Sequence, residues 1–157
     1  MTADDIKAVL WRESELRWNT LIACEELRYP YLFGIADFII VRRDMLTIEI
    51  EIKVNKSDLT FNETQKKKWK YNWDAAKTVG PNYFYFCIPE TMYEWSIEFI
   101  KESWPFAGVL VVTDEGLLIF KRRPKRIHNT PLKSIRFIAR SIYCKLRLEK
   151  MKELPNE

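Results

Sequence analysis

Apolar and polar positions along the chain alternate between helical and extended patterns. Residues 4–16 (DDIKAVLWRESEL) read as a helix, with Asp4 and Asp5 in the first turn, where the helix dipole favours acids. Thr20 to Leu27 fits either a continuation of that helix or a short strand, because periodicity alone does not separate them. Tyr29-Pro30-Tyr31 and Gly34 break the pattern. Phe38-Ile-Ile-Val41 is strand-like, Arg43-Asp44-Met45 suits a turn, and Leu46 to Val54 alternates with a period of two. Residues 60–79 suit a lysine-bearing helix ended by Gly80-Pro81. The aromatic run Asn82 to Ile88 has strand length and stops at Pro89, and residues 90–102 read as helix. Ala107 to Thr113 and Leu117 to Lys121 form two strands around Asp114-Glu115-Gly116, and 132–152 is a long basic helix. With no repeat and no linker, the order predicts one α/β domain over residues 1–157 with a mixed sheet flanked by helices. Its core spans about residues 4–120, followed by a basic extension over 121–157.

Composition narrows the chemistry. With 157 residues, 47% apolar and 31% charged, the chain is neither disordered nor fibrous. A domain of this size buries roughly 68–70% of its unfolded surface and needs no disulfide or metal to fold. No apolar run is long enough to span a membrane, and the opening Met1-Thr-Ala-Asp-Asp-Ile-Lys carries acids where a signal peptide carries bases. A cytoplasmic location is expected. Cys24, Cys87 and Cys144 lie too far apart for a CxxC pair and read as small buried apolar residues. A single histidine, His128, excludes an HExxH zinc site, and no G-x-S-x-G elbow accompanies it. Flanked by Lys125, Arg126 and Asn129, it reads as a solvated loop residue. Four glycines are too few for a phosphate-cradling loop. Catalysis therefore falls to carboxylates, lysines and a metal with oxygen ligands.

Charge is unevenly placed. Residues 121–157 hold 12 Lys/Arg against 3 Asp/Glu, whereas residues 1–120 hold 14 against 19. A basic end on an acidic body suits a polyanionic partner. Lys121, Arg122, Arg123, Lys125 and Arg126 are expected on backbone phosphates. A second basic run, Lys66-Lys67-Lys68-Trp69-Lys70-Tyr71, interleaves aromatics with lysines, as single-strand binders do. The helix 132–152 also carries an apolar stripe of Leu132, Ile135, Ile138, Ile142, Leu146 and Met151, which either packs on the domain or forms a homodimer seam.

The candidate chemistry sits in a hairpin. In Ile48-Glu-Ile-Glu-Ile-Lys53 the isoleucines point to one face and Glu49, Glu51 and Lys53 to the other. A hairpin centred on Asp44 places residues i and 88−i opposite each other, so Asp37 faces Glu51. Phe38, Ile40, Ile48, Ile50 and Ile52 then share the core face. Two carboxylates so close repel unless a cation lies between them, and oxygen ligands suit Mg²⁺ or Mn²⁺. With Lys53 beside them, metal-assisted phosphodiester hydrolysis uses all three groups.

These residues resemble the PD-(D/E)xK nuclease superfamily, with Ala36-Asp37-Phe38 as the PD half and Glu51-Ile52-Lys53 as the ExK half. The wider pattern is similar to the MmcB-like DNA repair proteins and related small phage and bacterial nucleases. It comprises Asn55-Lys-Ser-Asp58 after the ExK strand, then Lys68-Trp69 and Tyr71, then an aromatic strand ending in Pro89. The resemblance covers about residues 20–145 and implies a restriction-endonuclease-like αβββαβ core, which makes 20–27 a strand. It also implies a C-terminal β-hairpin and basic helix outside that core. Asp37, Glu51 and the Ile52 carbonyl would bind Mg²⁺ or Mn²⁺, joined by Glu26 with Glu25 as its rival, and Lys53 would be the catalytic lysine. Lys68 would face the site, Lys66, Lys67 and Lys70 would contact DNA, and Asp58 would organise the turn or cap the helix. Ala36 replaces the usual proline, and Phe33-Gly34-Ile35-Ala36 replaces an arginine-rich approach, leaving phosphate contacts to the basic C-terminal region. The implied activity is a DNA nuclease; the alternative is a non-catalytic nucleic-acid-binding module on the same fold.

Overall fold

The computed structural model describes residues 1–28, 35–66, 81–127 and 132–153. The predicted break at 29–34, most of the lysine-bearing helix, with Lys67, Lys68, Trp69, Lys70 and Tyr71, and His128 lie outside the described residues.

Helix α1 (Ala3–Arg17) starts at a reciprocal cap. The Asp5 amide donates to Thr2 Oγ1 at 3.2 Å, and the Thr2 amide donates to Asp5 Oδ2 at 2.7 Å. Its apolar face buries Ile6, Val9 and Leu10. The ambiguous segment after it is a strand, β1 (Thr20–Arg28), followed by β2 (Ile35–Arg42) and β3 (Thr47–Ile52). Next come β4 (Tyr83–Pro89), a short 3₁₀ turn, α2 (Tyr93–Ser103), β5 (Gly108–Val112), β6 (Leu118–Arg122) and α3 (Leu132–Glu153). The six strands form one sheet in chain order. Pairs β1–β2, β2–β3 and β5–β6 are antiparallel, and β3–β4 and β4–β5 are parallel. Parallel neighbours need crossovers, which residues 53–82 and α2 supply. The β5–β6 turn is the predicted one: the Gly116 amide donates to the Thr113 carbonyl at 2.9 Å, with Gly116 at φ 75°.

Period-two alternation gives each sheet face its own cover. On one face Phe38, Ile40, Ile48, Ile50, Ile52, Tyr85 and Cys87 pack against α1. The opposite face carries two separate apolar clusters. Phe84, Phe86, Ile88, Val109 and Val111 pack with Ile100 and Trp104, whereas Cys24, Leu27, Ile39 and Val41 pack with Ile138 of α3. Glu49 and Glu51 face the side of β3 that lies between those clusters, and β3 is buried at all six positions, polar face included.

Of the apolar stripe on α3, Ile135 and Ile138 are buried and Ile142 packs beside them, while Leu146 is exposed; the side chains of Leu132 and Met151 lie outside the described residues. Cys24 and Cys87 are buried as expected, but Cys144 is exposed, because it falls on the far side of α3. No described helix is long and apolar enough to cross a membrane.

Candidate active site

The β2–β3 hairpin has the predicted register. Phe38 pairs with Ile50, Ile39 with Glu49, Ile40 with Ile48 and Val41 with Thr47; one step further sets Asp37 against Glu51. The turn closes because the Met45 amide donates to the Arg42 carbonyl at 2.9 Å while Met45 adopts φ 65°. Asp37 Oδ2 accepts the Ile52 amide at 2.8 Å, which fastens the carboxylate to the end of β3. The Lys53 amide then donates to the Cys87 carbonyl at 3.0 Å, continuing the pairing with β4 and directing the lysine side chain inward.

Lys53 is the hub. Its ammonium lies 3.1 Å from Glu51 Oε1, 3.3 Å from Asp58 Oδ2 and 2.9 Å from Glu63 Oε2. Glu51 and Glu63 are fully buried, and Lys53 is 3% exposed. A helical turn after β3 brings the other partners. Asn55 Oδ1 accepts from Ser57 Oγ at 2.9 Å and from the Asp58 amide at 2.8 Å, opening a π-helical segment, Asp58–Asn62. Of the two roles expected of Asp58, organising the turn or capping the helix, the capping is performed by Asn55, and the Asp58 carboxylate turns to Lys53. One turn further, Lys66 Nζ reaches Glu63 Oε2 at 2.7 Å and bonds Glu51 Oε1. Asp37, Glu51, Lys53, Asp58 and Lys66 line a cavity of about 330 Å³ that also touches Lys7 of α1.

Three carboxylates and three ammonium groups thus line one small volume, with the Glu63 carboxylate buried behind Lys53. Burial and the Glu51 charge push the Asp37 carboxyl above its usual range, against the opposing Ile52 amide, Lys53 and Lys66. For Lys53, burial alone would lower the pKa, but Glu51 and Glu63 outweigh it, so the lysine is held in its charged form well above the ordinary value.

The remaining predicted residues separate. Ile52 lines the cavity with Asp37 and Glu51. Glu26 does not: at φ 52° it leaves the strand alternation, is exposed, and lies 2.7 Å from Lys7 Nζ. Glu25 lies 3.6 Å from the same ammonium. The β1–β2 register sets Glu26 across from Asp37, but its carboxylate pairs with Lys7, and neither Glu25 nor Glu26 lines the cavity that holds Asp37. Lys66, expected on DNA, turns into the site. Lys67, Lys68 and Lys70 lie outside the described residues. The basic stretch disperses: Lys121 Nζ sits 5.0 Å over the Tyr93 ring and Arg122 Nη2 donates to the Pro105 carbonyl at 2.7 Å, while Arg123, Lys125 and Arg126 are exposed.

Sequence reasoning missed Glu63, which follows a short π-helical segment and is fully buried against Lys53, a contact that no spacing in the chain signals. Among the described residues no three His, Cys, Asp or Glu side chains are grouped as metal ligands; the cavity lining offers the carboxylates of Asp37, Glu51 and Asp58 and the Ile52 main chain, with Asp58 engaged by Lys53.

No family model matches the chain, and no curated protein matches it. The chain is similar to several solved structures, among them these two. SPO1766, a protein of unknown function from Silicibacter pomeroyi, has a TM-score of 0.55 at 16% identity, over 84% of this chain and 80% of that one. An XisH family protein from Nostoc punctiforme PCC 73102 has a TM-score of 0.48 at 13% identity, over 77% of this chain and 98% of that one. The first likeness is one of fold: a six-stranded mixed sheet flanked by helices.

Proposed function

We propose that this chain is a cytoplasmic, divalent-metal-dependent deoxyribonuclease of the PD-(D/E)xK type. The observation that carries the reading is the facing pair Asp37 and Glu51 at the end of β3, with Lys53 bonded to Glu51. The order of α1, three antiparallel strands, a crossover and a parallel β4 is also the order expected of an αβββαβ core.

The donor set fits Mg²⁺ or Mn²⁺, because both carboxylates are hard oxygen ligands and Asp37 is pushed up by burial and by Glu51, a conflict that a cation removes. Asp37, Glu51 and the Ile52 carbonyl would hold the ion, which when bound would polarise the phosphodiester and lower the pKa of the attacking water. Lys53 stays protonated in its cage of carboxylates, so it orients water and meets the charge developing on phosphate. Glu63 fixes the lysine's position. Lys66 bonds Glu51 and Glu63 at the mouth of the cavity, where its ammonium would also meet a substrate phosphate.

Labelled duplex, nicked, flapped and single-stranded DNAs incubated with Mg²⁺ or Mn²⁺ test this reading. Wild type is expected to cut at least one of them, and Glu51→Gln and Lys53→Ala to lose roughly 100–1,000-fold of that rate with binding retained. Equal rates in all three proteins would overturn it. The Lys66–Glu51 pair favours one alternative, a DNA-binding module in which a lysine replaces the metal. Salt-sensitive binding without cleavage by wild type selects that alternative.

A further inference from the structure

The other end of β3 holds a second cavity, of about 760 Å³, on the face of the sheet covered by α1. From Ile52, beside the acid–lysine cluster, to Ile48, in the wall of this cavity, is four residues, or about 13 Å of strand. Its aromatic side is built by the same alternation as the core. Tyr83 and Tyr85 of β4 fall on the α1 face, Trp18 closes the end of α1, and Phe120 comes from β6. The Phe120 ring lies 5.4 Å from Trp18 and 6.2 Å from Tyr85, centroid to centroid. Trp18 and Tyr85 are buried, but Phe120 is 39% exposed and Tyr83 is half-buried, so ring surface is available for stacking.

Its polar side is cationic. Arg17, Arg42, Arg122 and Arg123 converge there from α1, β2 and the end of β6, and among the described residues no carboxylate lines the cavity. The neighbouring acids are taken: Glu13 pairs with Arg12 and Arg17, and Asp44 pairs with Arg42 at 2.7 Å. Two buried guanidinium nitrogens, Arg42 Nε and Arg122 Nη1, have no hydrogen-bond partner. Burial holds the Tyr85 phenol protonated, its pKa pushed up to about 12 against the opposing charges of Arg123 and Arg42, so it also offers a donor. Planar aromatic surface beside several guanidinium groups matches a ligand with a planar base and an anion. The volume is that of a small-molecule site.

We propose that this cavity binds a nucleoside phosphate, with the base stacked on Phe120 and Tyr83 and the phosphate held by the arginines. The ligand is either a free mononucleotide or the phosphorylated end of a DNA strand. The site is independent of the nuclease reading: it lies on another part of the sheet and requires no metal.

Calorimetric titration of the full chain in EDTA tests it, using dAMP, inorganic phosphate, deoxyadenosine, and a short oligo-dA with and without a 5′-phosphate. The result expected is that dAMP binds at least about tenfold more tightly than phosphate or deoxyadenosine, because only dAMP engages both halves of the cavity. Arg123→Ala and Phe120→Leu should each weaken dAMP by roughly tenfold without moving the melting temperature much, since both positions are exposed. Glu51→Gln should bind as wild type does. A 5′-phosphorylated oligo-dA that outbinds both dAMP and its unphosphorylated form assigns the cavity to a strand end, and parity with dAMP assigns it to the free nucleotide. Absence of dAMP binding, or dAMP affinity unchanged in both Arg123→Ala and Phe120→Leu, overturns the proposal. Loss of binding in Glu51→Gln would place the nucleotide at the acid–lysine cluster and overturn it equally.

Discussion

At the C-terminal end of β3, charge is buried and compensated: Lys53 has three carboxylates within 3.3 Å, and Lys66 has two partners. At the N-terminal end of the same strand, four arginines line a cavity in which no described residue is an acid. The two regions share a sheet and a helix, since Ala3 and Lys7 of α1 border the first cavity and Arg17 borders the second. They differ in solvent. Buried charges must be matched within the protein, because desolvation is costly and each lost partner leaves an uncompensated ion. At the open cavity, Arg17 and Arg42 are each paired with one carboxylate at the edge and Arg123 is exposed to solvent, so guanidinium donors remain for an anion. The first arrangement suits a preorganised reaction centre and the second a binding surface.

The largest test of that contrast is the removal of one buried partner. Glu63→Ala should destabilise the protein by about 3–5 kcal/mol in urea unfolding, because Lys53 and Lys66 both lose a carboxylate. Arg123→Ala should change stability by no more than about 0.5 kcal/mol. Similar values for the two would abolish the distinction between the regions.

Next in size is metal binding. Mn²⁺ at a hundredfold excess over its dissociation constant should stabilise the wild type by about 2.7 kcal/mol, read as a rise in melting temperature. Glu51→Gln should show little of that rise, and Arg123→Ala all of it. A rise lost only with the arginine would move the metal to the wrong end of β3.

Gly108→Ala probes the second cavity from behind. A Cβ at this position would stand 2.5 Å from the Tyr85 ring and 3.0 Å from the Arg122 carbonyl. The variant should lose about 1–3 kcal/mol and displace Tyr85. Nucleotide affinity should fall while metal-dependent stabilisation survives.

The smallest effect expected is a gain. Asp37 has its folded-state pKa raised above its ordinary value of 3.8, so between those two values the folded state binds more protons than the unfolded state. Stability from this group therefore falls as pH rises through that window. Asp37→Asn should be more stable than wild type at neutral pH without metal, and the advantage should vanish on acidification. An advantage that stays constant with pH would trace to packing rather than to ionisation.

Several of these features were legible in the chain itself. The hairpin register followed from the turn at Arg43–Met45 and the alternation of Ile48, Ile50 and Ile52, because a slip of one residue would exchange the two faces. That register alone sets Asp37 opposite Glu51. The β5–β6 turn was legible through Gly116. Glu26 was not, because its positive φ is a local departure from the strand pattern that no spacing rule signals. Nor was the second cavity, since Arg17 and Arg42 stand apart from the basic stretch 121–126 in sequence and meet it only across the sheet.

Local pattern thus determined the strands, their faces and the acidic pair, because alternation and turn chemistry act between near neighbours. Tertiary structure alone decided that Glu63 and Lys66 close on Lys53 and that four arginines share one cavity. Those contacts join segments brought together by two parallel crossovers and by the packing of α1, and long-range packing leaves no period in the chain to read.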